Sequence, residues 1–112
     1  DQNRDQARFA DALPLSELIP GASLLLSENG HFDIIIPFSE EEYAMQIAQN
    51  SGLFPRKITR VKGNSEAPIK RSLISFQKAN TTPEIDELII EISRHHYTED
   101  YKNLVQDFYL KL

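Results

Sequence analysis

The chain has 112 residues, a net charge of −5 and no cysteine, which excludes a disulfide scaffold, a thiolate metal site and thiol catalysis and fits a reducing, cytoplasmic setting. Hydrophobic residues at 40% and charged residues at 26% place it among globular chains of single-domain size. The acidic balance excludes a uniformly basic nucleic-acid wrapper, and no apolar run approaches the ~20 residues of a membrane span.

The polar opening Asp1-Gln2-Asn3-Arg4 carries no leader pattern, and we read the chain as a piece of something longer. Leu15, Leu18, Ile19, Ala22, Leu25 and Leu26 recur at helical spacing, with Ser16 or Pro14 at the start. Pro20-Gly21 inside that run predicts a kinked helix or two short ones. Asn29-Gly30 predicts its end, glycine taking the left-handed position. The stretch His31-Phe32-Asp33-Ile34-Ile35-Ile36-Pro37 then reads as a strand over Phe32–Ile36. Its three consecutive isoleucines predict burial on both faces, as in a parallel sheet.

Ser39 before Glu40-Glu41-Glu42 reads as an N-cap with acids in the first helical turn. Tyr43, Ala44, Ile47 and Ala48 supply the apolar stripe, and Gly52 ends the helix. Two strands follow, Phe54 to Lys62 and Ile69 to Lys78, joined through Gly63-Asn64-Ser65 and Pro68, short enough to predict an antiparallel hairpin. After the polar Asn80-Thr81-Thr82-Pro83, Asp86 to Ile92 predicts a strand with Leu88, Ile90 and Ile92 on one face. Thr98 caps a last helix with Glu99 and Asp100 in its first turn. Its stripe is Tyr101, Leu104, Val105, Phe108 and Tyr109. This order predicts an open α/β sheet with an antiparallel hairpin at its edge.

Charge is the uneven feature. Arg56, Lys57, Arg60, Lys62, Lys70, Arg71 and Lys78 face the single acid Glu66 between Phe54 and Lys78, while the remainder is strongly acidic. Screening over ~8–10 Å lets such a stretch hold a polyanion locally. A solvated hairpin with lysine-guarded edges explains the same residues without any ligand.

Catalytic signatures are absent from these residues. There is no Gly-rich phosphate loop, no Gly-x-Ser-x-Gly and no His-Glu-x-x-His. His95-His96 with Glu99 and Asp100 lacks the i, i+3 or i, i+4 relation of a helical metal pair, so a polar loop explains it. His31 has no evident triad partner. Tyr97, Tyr101, Phe108 and Tyr109 contain the elements of a base-stacking set, but helical spacing makes most of them core residues.

Arg4-x-x-Ala7-Arg8, Leu13 to Leu26 and Gly30-His31-Phe32-Asp33-Ile34-Ile35-Ile36-Pro37 together resemble the second half of a bacterial methyltransferase family. Its members transfer a methyl group from S-adenosylmethionine to N6 of an adenine beside the anticodon of valine tRNA. Pro68-Ile69-Lys70-Arg71-Ser72-Leu73-Ile74-Ser75-Phe76 resembles the family's penultimate strand. Tyr97-Thr98-Glu99-Asp100-Tyr101 and Asp107-Phe108-Tyr109-Leu110 resemble its closing segment. Phe9 and Pro20-Gly21 depart from the family's usual residues.

The resemblance implies a fold class: the C-terminal part of a Rossmann-like class I methyltransferase sheet, as one partial domain over residues 1–112. It implies S-adenosylmethionine as cofactor of the parent enzyme and none for this chain alone, because the Gly-rich turn and the Asn-Pro-Pro-aromatic motif would lie upstream. It implies tRNA as partner, with Arg4 and Arg8 near the active-site mouth, contacting RNA or holding the loop; the basic stretch, read by its charge, adds Arg56, Lys57, Arg60, Lys62, Lys70 and Arg71 as expected RNA contacts. Pro37-Phe38-Ser39 falls at the sheet's carboxyl edge, where a pocket wall would stand. No catalytic, cofactor or metal residue is carried over. The residues by themselves also accommodate a stand-alone RNA-binding module or a dimerisation module. A strand at Ile34 to Ile36 without its neighbour predicts a homodimer through an unpaired edge, unless Asp86–Ile92 folds back to cover it.

Overall fold

The computed structural model describes residues 13–93 and 96–110. Helix α1 covers Leu15–Leu25, strand β1 Phe32–Pro37 and, after a single 3-10 turn at Phe38–Glu40, helix α2 Glu41–Asn50. Strands β2 (Phe54–Lys62), β3 (Ile69–Gln77) and β4 (Glu84–Ile89) follow. A small two-stranded ribbon of β5 (Glu91–Ser93) and β6 (His96–Tyr97) precedes helix α3, Glu99–Leu110.

The main sheet has the order β1-β3-β2-β4. β2 and β3 form the expected antiparallel hairpin, Ile58 facing Ile74 and Arg60 facing Ser72. The turn between them is shaped by Asn64, whose side-chain oxygen accepts from the Glu66 amide at 3.0 Å. β1 lies antiparallel to β3, Ile34 opposite Ile74 and Pro37 opposite Arg71. β4 runs parallel to β2, Lys57 opposite Glu84 and Val61 opposite Leu88. Thus β1, β2 and β4 share a direction and β3 alone is reversed.

This corrects two expectations for β1. Its hydrogen-bonded neighbour is antiparallel rather than parallel. Burial alternates: Ile34 and Ile36 enter the core while Ile35 is 53% exposed. An isoleucine run satisfies a one-sided strand as well as a two-sided one, because β-branching suits the pleat on either face. The alternative, in which the acidic strand folds back on β1, does not occur, since that strand pairs with β2. Among the described residues the outer edge of β1 has no partner strand.

Helices α1 and α2 cover one face of the sheet. Ile19, Ala44 and Ala48 are fully buried, joining Ile34, Ile36, Leu53, Ile58, Ile74 and Phe76 in one core. The two alanines let the helices approach closely. Ser23 Oγ donates to the Ser51 carbonyl at 2.6 Å across the pair. The Phe32 and Phe76 rings stack with centroids 6.4 Å apart. On the other face Val61 and Leu88 are buried, and α3 lies against β4.

Helix ends show where local signals held. α3 starts on Thr98, whose hydroxyl accepts from the Tyr101 amide at 3.1 Å and also contacts the Ile89 carbonyl. α2 ends before Gly52 at φ +79°, and the Leu53 amide returns to the Ala48 carbonyl at 2.8 Å. α1 differs from expectation. It is one helix that runs through Pro20, and it ends at Leu25 with Leu26 already extended. Gly30 has no positive φ and stops nothing. Proline removes only the amide that would reach Ser16. α2 begins after Glu40 with no side-chain cap, so Ser39 does not cap it.

Alanine at Gly52 would meet no atom within 4 Å. Its cost is the left-handed backbone alone, so Gly52→Ala is expected to lower stability by about 1 kcal/mol in urea unfolding. An unchanged midpoint would contradict that assignment of the helix end.

Candidate functional site

The carboxyl ends of β1, β2 and β4 and the start of β3 lie along one edge of the sheet. This is the edge at which open α/β folds place their ligands. β1 delivers Pro37 and the 3-10 turn there, β2 delivers Arg60 and Lys62, and β3 begins with Lys70 and Arg71.

A polar cluster is built under the turn. Arg60 donates to Glu41 in a two-pronged pair, Nε to Oε1 at 3.2 Å and Nη2 to Oε2 at 2.9 Å. Ser72, fully buried, donates its hydroxyl to Glu41 Oε1 at 2.7 Å. The guanidinium carbon of Arg60 lies 5.8 Å from the Phe38 ring centroid, within cation–π range. Burial raises the Glu41 carboxyl, but hydrogen bonds from Arg60 and Ser72 and the Arg60 charge outweigh it, leaving the group below its ordinary 4.5. The hydrogen bond to Glu41 raises Arg60 in turn.

The basic residues singled out in the sequence are not equivalent. Arg60 is engaged by Glu41. Lys57 Nζ lies 3.6 Å from both Glu84 and Asp86 on β4, at the opposite end of the sheet from Lys70. Lys62 Nζ lies 3.6 Å from Glu87. Arg56 donates to Ser75 Oγ at 3.4 Å. The acidic strand therefore offsets much of the positive charge of β2. Lys70 and Arg71 are both exposed, and neither has an ion-pair partner among the described residues. Arg4 and Arg8 lie outside the described residues, as does His95. Tyr97 and Tyr101 pack on each other with ring centroids 5.5 Å apart. No group of three metal-ligating side chains occurs among the described residues. No helix there is long and apolar enough to cross a membrane.

Glu41 and Ser72 are the participants that the sequence reading missed. Glu41 reads as one of three first-turn acids, and Ser72 as a polar residue in an apolar strand. The available signal was the strand period. Ser72 shares the face of Ile74 and Phe76, so it had to be buried and needed a partner.

No family model matches the chain. It is similar over its full length to several proteins named tRNA1(Val) (adenine(37)-N6)-methyltransferase. That of Christiangramia forsetii is 70% identical over 112 residues, 100% of this chain and 47% of that protein. That of Flavobacterium johnsoniae is 51% identical, covering 100% and 48%, and one from Bacteroides fragilis is 39% identical, covering 100% and 47%. The chain thus spans about half the length of the curated relatives it matches. A crystal structure of a predicted O-methyltransferase from Agrobacterium tumefaciens superposes with a TM-score of 0.66 at 19% identity, over 80% of this chain and 44% of that one. At that identity the likeness concerns the fold, a Rossmann-like α/β arrangement.

The polar cluster makes a pH prediction. Because the Glu41 carboxyl is lowered in the folded state, its contribution is complete above pH 4.5 and is lost as pH falls through the folded value. Glu41→Gln is expected to cost about 2 kcal/mol at pH 7, the scale of hydrogen bonds to a charged group. Urea unfolding should show the gap to the wild type narrowing below pH 4.5. A gap independent of pH would place the effect elsewhere.

Proposed function

We propose that this chain, which corresponds to the C-terminal half of the tRNA1(Val) (adenine(37)-N6)-methyltransferase family, supplies the tRNA-facing flank of an enzyme that methylates adenine N6. The observation that carries this reading is the pair Lys70 and Arg71. They are exposed, without ion-pair partners among the described residues, and set at the carboxyl edge beside the Phe38 turn. Phosphates are bound by such cations through counterion release. Arg56, Lys57, Arg60 and Lys62, together with Arg4 and Arg8, belong to the proposed RNA side. Lys57, Arg60 and Lys62 contribute less, because carboxylates on β4 and α2 already hold them.

S-adenosylmethionine is the methyl donor in this reading of the whole protein, at work in the cytoplasm. The described residues do not fit a cradle for it. Of the four glycines, only Gly52 has a positive φ, and it closes a helix; a side chain at Gly30 would meet Leu26 and Ser27. In this reading the chain's part is to orient and hold the RNA.

The free edge of β1 and the nearby apolar surface bear on assembly. Leu24 and Leu25 are 87% and 90% exposed. An unpaired edge and an apolar face recruit another copy. For the chain by itself, light scattering at micromolar concentration is expected to give a species heavier than 12.8 kDa. A monodisperse monomer with exchange-protected Ile34–Ile36 amides would remove the homodimer.

The reading of the RNA flank is tested in the full-length protein. The double variant Lys70→Glu, Arg71→Glu should weaken tRNA binding at least ten-fold and flatten its salt dependence, with the S-adenosylmethionine affinity unchanged. Unchanged tRNA binding would return the hairpin to a solvated edge.

A further inference from the structure

Phe38 is an exposed aromatic residue held in a way that packing alone does not require. The residue is 37% exposed at the carboxyl end of β1. Arg60 backs it, and Arg60 is fixed by two hydrogen bonds to Glu41, which also accepts from the fully buried Ser72. Three polar side chains from two strands and a helix thus converge to fix the cation beside one half-open ring. The sheet register then places the free cation Lys70 next to it. Pro37 pairs with Arg71, so Phe38 sits one step beyond that pair and Lys70 one step before it on the adjoining strand, on the face of Ser72, while Arg71 is directed to the opposite face with Val61. The other exposed aromatics lack this setting: Tyr43 follows three consecutive glutamates, and Tyr97 packs on Tyr101.

We propose that Phe38, backed by Arg60 and flanked by Lys70, is a stacking platform for one unpaired base of the RNA loop, Lys70 holding the adjoining phosphate. This rests on the RNA-facing reading above. A base has a π-face whatever its identity, so an aromatic ring beside cations is the arrangement by which single-stranded nucleic acid is held. Arg60 adds a cation to the back of the ring, and the carboxylate of Glu41 keeps that cation from moving to a phosphate. Glu41 and Ser72 are accordingly positioning residues, and Phe38 is the contact.

The experiment measures binding of the tRNA1(Val) anticodon stem–loop to the full-length protein by fluorescence anisotropy across a salt series. Phe38→Leu is expected to weaken binding about ten-fold. The slope of log affinity against log salt should stay as in the wild type, because stacking releases no phosphate counterions. Phe38→Tyr and Phe38→Trp should restore affinity, which a merely space-filling role would not require. Making the loop nucleotides abasic one at a time then identifies the partner: at one position the Phe38→Leu penalty disappears. No loss with Phe38→Leu, a loss that Tyr and Trp fail to restore, or a penalty that persists at every abasic position overturns the platform. Lys70→Gln with Arg71→Gln reports separately. An unchanged salt slope there overturns the RNA-facing reading itself, whereas a negative result at Phe38 leaves that reading standing.

Discussion

Everything in this chain is arranged around the reversed strand β3. It pairs with β1 on one side and β2 on the other, so two strands that run in the same direction are joined through it. Its inward positions, Ser72, Ile74 and Phe76, are almost wholly removed from solvent. Ile74 is met from both sides by Ile34 and Ile58, and Phe76 stacks with Phe32. Burying large side chains of this kind contributes about 1.5–3 kcal/mol each. The same strand brings its first residues to the carboxyl edge, and packing and presentation of charge therefore share one element.

The one polar position on that inward face shows how the two demands were reconciled. A hydroxyl in an apolar layer costs stability unless it finds an acceptor. Glu41 supplies one, and its own charge is answered by Arg60. The three satisfy one another, and no buried side-chain polar atom among the described residues lacks a partner. A network of this kind has few alternative arrangements, so it fixes the 3-10 turn at Phe38–Glu40 more firmly than apolar contacts would.

Much of the fold was legible because its signals are local. Strands β2 and β3 follow β-branched and alternating residues between turn residues, Thr98 stands where a cap must stand, and Gly52 takes the one positive φ among the glycines. What was not legible depends on partners distant in sequence. The period of Ile34-Ile35-Ile36 marks a strand but not its neighbour, and β3, made much later in the chain, decided that pairing and left Ile35 outward. Leu25 fits the helical stripe of α1, yet it is exposed because no element reaches it among the described residues. The basic stretch read as one patch. Its division into neutralised and free cations follows from β4 lying parallel to β2, which composition does not contain. Glu41 looked like a helix-dipole acid because only the sheet register brings Arg60 and Ser72 to it.

The position of β1 in the chain has a consequence for biosynthesis. β1 leaves the ribosome before β3 exists, and its pairing of Phe32 with Phe76 must wait for nearly the whole of the sheet to be made. At about 5–20 residues per second that interval lasts seconds. Throughout it the chain displays three adjacent isoleucines with high β-propensity, the kind of segment that seeds aggregation. Asp33 on one side and Glu40-Glu41-Glu42 on the other flank it with negative charge. These acids act as gatekeepers of the nascent strand before Glu41 takes up its place against Arg60.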